Sequence, residues 1–177
     1  MSKKSKAAAV RLLSIAFALI FILGLWFVYS GSAGISKRNL EKDFINQCHI
    51  DENMTINKAQ GDDAVAFLAY GQDDSDADLA LYAKNAVGRY VYAGGGDIEC
   101  GDDEIAEYKI QNCKSKVYAS INECKIAVIR VYSNLLEPEI IEIDPDKPFV
   151  YAEPKGVKNI EFINEEDEMV ESVKRVY

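Results

Sequence analysis

Three aspartates at alternate positions, Asp74, Asp76 and Asp78, match the first, third and fifth ligand positions of a calcium-binding EF-hand loop. The pattern then breaks. The sixth position, where the loop needs a glycine to turn, is Leu79, and the twelfth, where it needs a bidentate glutamate, is Asn85. Calcium is therefore a candidate ligand at these three residues, in competition with a solvated acidic turn. A second acidic cluster (Asp97, Glu99, Asp102, Asp103, Glu104) has no ligand spacing at all. Gly94, Gly95 and Gly96 lack the Lys-Ser/Thr pair of a phosphate loop, and Asp97 and Glu99 follow them and repel phosphate. They predict a flexible loop or a wide β-bulge.

The four cysteines, Cys48, Cys100, Cys113 and Cys124, contain no CxxC pair, which argues against both a zinc site and a dithiol redox centre. An even set outside the cytoplasm favours disulfides. A five-residue strand between Cys113 and Cys124 would hold them roughly 16 Å apart, beyond disulfide reach. The expected pairs are Cys100–Cys124 and Cys48–Cys113. Nucleophilic catalysis needs a base beside the nucleophile, and His49 is the only histidine. Cys124 and Arg130 follow it in a context, Asn122-Glu123-Cys124, that assigns them no role. The 29 acidic residues always allow some carboxylate pair, so pairing alone does not point to glycoside hydrolysis. No catalytic residue and no cofactor is assigned. Tyrosine is enriched at interfaces, and Tyr82, Tyr90 and Tyr92 are the candidates for a binding face.

Two kinds of element must position these residues. Leu12 to Tyr29 is an 18-residue run without a charge, and about 20 apolar residues at 1.5 Å each cross a hydrocarbon core of roughly 30 Å. Lys3, Lys4, Lys6 and Arg11 on one flank predict a cytoplasmic N-terminus, while Trp26 and Tyr29 suit the opposite interface. Leu12, Phe21, Trp26 and Tyr29 are the expected anchor residues. A cleaved secretory signal ending near Ser30–Gly34 is the alternative, disfavoured because its apolar region is normally 7–15 residues.

Residues 30–35 read as a short spacer and 36–47 as an amphipathic helix. From Ala64 the pattern turns to β, with strands expected at 64–70, 78–84, 89–93, 105–111, 116–121, 125–133, 139–143, 148–152 and 159–164. Short connections imply an antiparallel meander. The 125–133 strand is apolar on both faces and should be central, whereas Pro138, Pro145, Pro148 and Pro154 confine later strands to short or edge positions. Asn164 followed by acids, with Lys174 and Arg175 near the end, predicts a C-terminal helix.

The expected fold is thus α+β and mainly β: an antiparallel β-meander domain (36–177) with an N-terminal and a C-terminal helix. It follows a basic cytoplasmic tail (1–11), one transmembrane helix (12–29) and a linker (30–35). A formal net charge of -9, with every acidic residue beyond the apolar run, argues against nucleic acid as a partner. The expected function is a membrane-anchored, extracytoplasmic interaction, assembly or sensing module, non-catalytic, with membrane lipid and another envelope or surface protein as partners. The alternatives are an anchored cell-envelope hydrolase or transpeptidase and a calcium-dependent binding module.

Overall fold

The computed structural model describes residues 3–29, 33–71, 77–98, 105–135 and 137–176, with side chains over 13–26 in the first helix. The chain forms two units, Met1–Ile35 and Ser36–Tyr177. In the first, α1 (Lys3–Tyr29) is a 27-residue helix on which Phe21 and Trp26 are exposed. Leu12 and Tyr29 lie on the same helix, their side chains outside the described set. Among the described residues no helix is long and apolar enough to cross a membrane.

The second unit opens with a 3-10 turn (Lys37–Asn39) and α2 (Leu40–Cys48), close to the helix the amphipathic pattern predicts. His49, in the left-handed conformation at φ 52°, ends it. Among the described residues twelve strands follow: β1 (Thr55–Gln60), β2 (Ala64–Tyr70), β3 (Ala77–Lys84), β4 (Tyr90–Asp97), β5 (Ile105–Lys109), β6 (Lys116–Ser120), β7 (Ile126–Tyr132), β8 (Glu139–Glu142), β9 (Phe149–Ala152), β10 (Asn159–Asn164), β11 (Met169–Val170) and β12 (Ser172–Val176). They build three four-stranded sheets: sheet A in the order β1-β2-β3-β4, sheet B in the order β12-β5-β6-β9, and sheet C in the order β11-β10-β7-β8.

Sheet A is the expected antiparallel meander, extended by β1, whose polar sequence carries no alternation. Beyond it the meander expectation fails. β9 returns to pair with β6, β10 pairs with β7, and β12 lies parallel to β5. The expected C-terminal helix is absent, replaced by β11 and β12. The carboxamide oxygen of Asn164 accepts from the N–H groups of Glu166 (3.1 Å) and Glu168 (2.8 Å), and Asp167 is left-handed at φ 61°. These bonds close a hairpin turn, and the β-branched Val170, Val173 and Val176 then favour extended chain.

The sheets stack because A and B each carry two apolar faces and C carries one. Phe44 and Leu40 of α2 bury against the outer face of sheet A, where Phe44 stacks on Phe67 at 5.3 Å. The inner face of sheet A (Ala59, Ala64, Ala66, Leu79, Leu81) packs on Ala106, Tyr108, Val117, Ala119 and Ala152 of sheet B. The opposite face of sheet B (Ile105, Tyr118, Phe149) packs on Ile126, Ile129, Val131 and Phe162 of sheet C. The order is α2, A, B, C. β7 is central in sheet C, and β8 and β9, which follow prolines, are sheet edges, as the sequence predicts, but β10, which follows Pro154, is an interior strand between β11 and β7.

Gly94–Gly96 are strand residues of β4, and Ala93 is the extra residue of a bulge opposite Leu81 and Tyr82. A Cβ on Gly95 would lie 2.1 Å from the Leu79 carbonyl oxygen, so glycine is required there for backbone approach.

One carboxylate fastens sheets A and B at their turns. Lys114 and Ser115 donate their backbone N–H groups to Asp63 Oδ2 and Oδ1 at 2.7 and 3.0 Å. The turns meet closely at Gly61, where a Cβ would sit 2.7 Å from Ser115 Oγ. Burial alone would raise the Asp63 pKa, but these backbone donors hold it below the usual carboxylate value. Its contribution to stability is therefore present above the unfolded value of 3.8 and is lost as the pH falls further. Asp63→Ala should cost about 2 kcal/mol at pH 7 in urea melts, with the difference from the parent shrinking below pH 3.8. A cost independent of pH would show that the fastening is not ionic.

Candidate functional site

The residues singled out by type and spacing do not converge. Asp74 and Asp76 lie outside the described residues, and Asp78 sits on β3 opposite Asp97 of β4. Among the described residues no group of three His, Cys, Asp or Glu is placed to hold a metal ion. Tyr82 and Tyr90 are buried, and only Tyr92, 39% exposed, reaches solvent, so the three make no common binding face. Tyr82 instead works in the core. It donates to Asp43 Oδ2 at 2.9 Å, and burial followed by that bond pushes its pKa well up.

The expected Cys48–Cys113 disulfide is absent: both are free thiols. Cys48 lies near Asp78 and Asp97, at one end of sheet A, and its pKa is raised by burial and then by Asp78. The Cys113 thiol donates to the Asp63 carbonyl at 3.4 Å, beside the opposite end of β2 and β3. Six residues of β3 separate those ends by roughly 20 Å, far beyond disulfide reach. The expected Cys100–Cys124 pair falls on residue 100, outside the described residues. Cys124 packs on the core between sheets B and C, whereas exposed His49 caps α2 on the outer side of sheet A. Two sheet spacings of roughly 10 Å stand between them. The fold does not bring the histidine to this thiol.

The structure does assemble a polar cleft where sheets B and C part. The face of sheet B turned to sheet C is apolar at one end and charged at the other. Glu107 of β5 is the cross-strand partner of Tyr118 on β6, and Lys116 lies two residues along on the same face. Glu153, just beyond β9, donates its N–H to the Lys116 carbonyl at 2.8 Å, which sets its side chain beside theirs. Across the cleft stand Val157, Lys158, Asn159, Ile160 and Phe162, and Ser172 closes one end, around a volume of about 210 Å³.

Glu107 is only 7% exposed, a charge within a buried strand, and Lys116 Nζ pairs with its Oε1 at 3.2 Å. The Tyr118 hydroxyl donates to Glu153 Oε2 at a long 3.5 Å. Burial raises the Glu153 pKa. Lys116 and Tyr118 oppose the rise, and the Glu107 charge adds to it. Burial likewise raises the Tyr118 pKa, and that of the neighbouring Tyr151 is pushed up to about 12. Titratable groups perturbed by burial and by named neighbours inside a cavity make this cleft the candidate site.

The periodicity of residues 105–111 reads Glu107 as solvated with Lys109 and Gln111, because strand alternation shows only that a face is polar. That face is buried because a third sheet covers it. Only pairings distant in sequence reveal this.

A larger pocket of about 420 Å³ shares Glu153 and Val157 with it and is also lined by Asp62, Lys114, Ser115 and Lys155. A wider groove of about 650 Å³ runs beside β1 between Asn57, Tyr70, Lys147 and Phe149. Asn57 spans part of it by donating to the Pro148 carbonyl at 3.2 Å. No protein-family model, no curated protein and no solved structure matches the chain.

Proposed function

We propose that the chain is a single-pass, membrane-anchored protein whose acidic β domain, outside the cytoplasm, recognises a ligand without transforming it. The uncharged run from Leu12 to Tyr29, with Lys3, Lys4, Lys6 and Arg11 on one flank, supports the anchor and its orientation. The observation that carries the recognition role is the cleft between sheets B and C. It holds Glu153 on one wall and Lys158 on the other, and the two make no ion pair with each other among the described residues. Groups kept apart across a cavity are available to a ligand.

Fractionation and protease treatment of sealed protoplasts carrying a C-terminally tagged full chain test the topology. The expected result is a chain that stays with membranes through high-salt washing, keeps Leu12–Tyr29 by mass, and loses its tag to external protease. A chain released on lysis, or a tag protected in sealed protoplasts and digested only after permeabilisation, overturns the reading.

A further inference from the structure

Glu153 and Lys158, opposite in charge, both line the cleft and form no ion pair with each other among the described residues. Glu153 is tied by its N–H to β6, and its one side-chain hydrogen bond among the described residues is to the distant Tyr118 hydroxyl. Lys116, the nearest cation on that wall, is engaged by Glu107. Lys158 is fixed to sheet C by its own N–H, which donates to the Tyr132 carbonyl at 2.7 Å. Its ammonium meets no carboxylate at ion-pair distance among the described residues. A lone anion or cation satisfies one wall and leaves the other, whereas a molecule carrying both charges a few bonds apart satisfies both.

We propose that this cleft binds a small zwitterion of the amino-acid class, its ammonium against Glu153 and its carboxylate against Lys158; the inference rests on the recognition role above and names its ligand. Ser172 supplies a neutral hydroxyl beside the charged pair. A volume of about 210 Å³ with a largely polar lining selects a short or polar side chain over a large apolar one.

Calorimetric titration of the purified full chain with glycine and serine tests this, with acetate and methylammonium as the separate halves of the ligand and leucine as the bulky comparison. Glycine and serine are expected to bind at least about tenfold more tightly than either half or leucine. Lys158→Ala and Glu153→Gln should each weaken glycine about tenfold or more, and circular-dichroism melts should show both variants folded. No heat from glycine or serine at millimolar concentration, halves that bind equally well, or folded variants with unchanged affinity each overturn the assignment. If the ligand test fails while the tag remains protease-accessible, the anchored recognition role survives with a different ligand. Binding of glycine by a chain released on lysis would remove the anchor and leave the cleft.

Discussion

Phe67→Ala is expected to cost about 3–5 kcal/mol, a fall in melting temperature on the order of 10 °C for a domain of this size. Phe67 is fully buried on the outer face of sheet A, where three elements meet on its ring. Phe44 of α2 stacks on it at 5.3 Å with planes 18° apart. Tyr82 of β3 meets it edge-on at 6.0 Å, and Lys58 of β1 places its ammonium 5.2 Å from the ring centre. Removing the ring opens a cavity that a β-strand backbone cannot collapse to fill, and it leaves α2 without its principal contact. Native-state hydrogen exchange should therefore show the amides of α2 losing protection before those of β5 and β6. Phe67→Leu keeps most of the volume and should cost clearly less. A loss below about 1 kcal/mol for the alanine variant would mean that α2 does not depend on this contact.

Asn122→Ala is expected to cost a comparable amount, about 3–5 kcal/mol, by a different route. Asn122 is 2% exposed, in the turn between β6 and β7, at a left-handed φ of 67°. Its amide nitrogen shares two hydrogens among the carbonyls of Ile126 (3.2 Å), Asp144 (3.1 Å) and Pro145 (3.2 Å). Its amide oxygen accepts from the Ile126 N–H at 2.8 Å. Alanine leaves the buried Ile126 groups and the part-buried Asp144 and Pro145 carbonyls without this partner, and its Cβ adds about 1–2 kcal/mol for the left-handed conformation. Three variants separate the contributions in urea melts. Asn122→Gly should recover roughly the conformational part of the alanine loss. Asn122→Asp, which keeps the acceptor but turns a carboxylate toward three carbonyls, should recover none of it. Recovery by aspartate would show that the donor bonds to the β8–β9 segment contribute nothing.

Asparagine also marks the limit of what was legible. Asn85 and Asn164 each accept from the backbone N–H groups two and four residues ahead, and each closes a hairpin. A helix N-cap makes much the same local bonds, so the acids after Asn164 read equally well as a first helical turn. What separates the outcomes is the partner. Ser172–Val176 finds an open edge on β5, more than sixty residues earlier in the chain. The disulfide expectation failed for a related reason. Cys48 and Cys113 both border sheet A, and only the register of β3 shows that they stand at opposite ends.

Local residue pattern alone determined where most strands run, that β7 is central, that β8 and β9 are edges, and that a helix precedes the sheets, because alternation, proline and amphipathic spacing act within a few residues. Three-dimensional packing decided the stacking of three sheets, the parallel placement of β12 and the burial of Glu107. Each of these depends on which distant strand supplies the missing hydrogen bonds and apolar surface, a choice made by the free energy of the whole domain. The cleft belongs to this second group. Glu153 and Lys158 are five residues apart in the chain, yet they face one another across a cavity only because β9 joins sheet B and β10 joins sheet C.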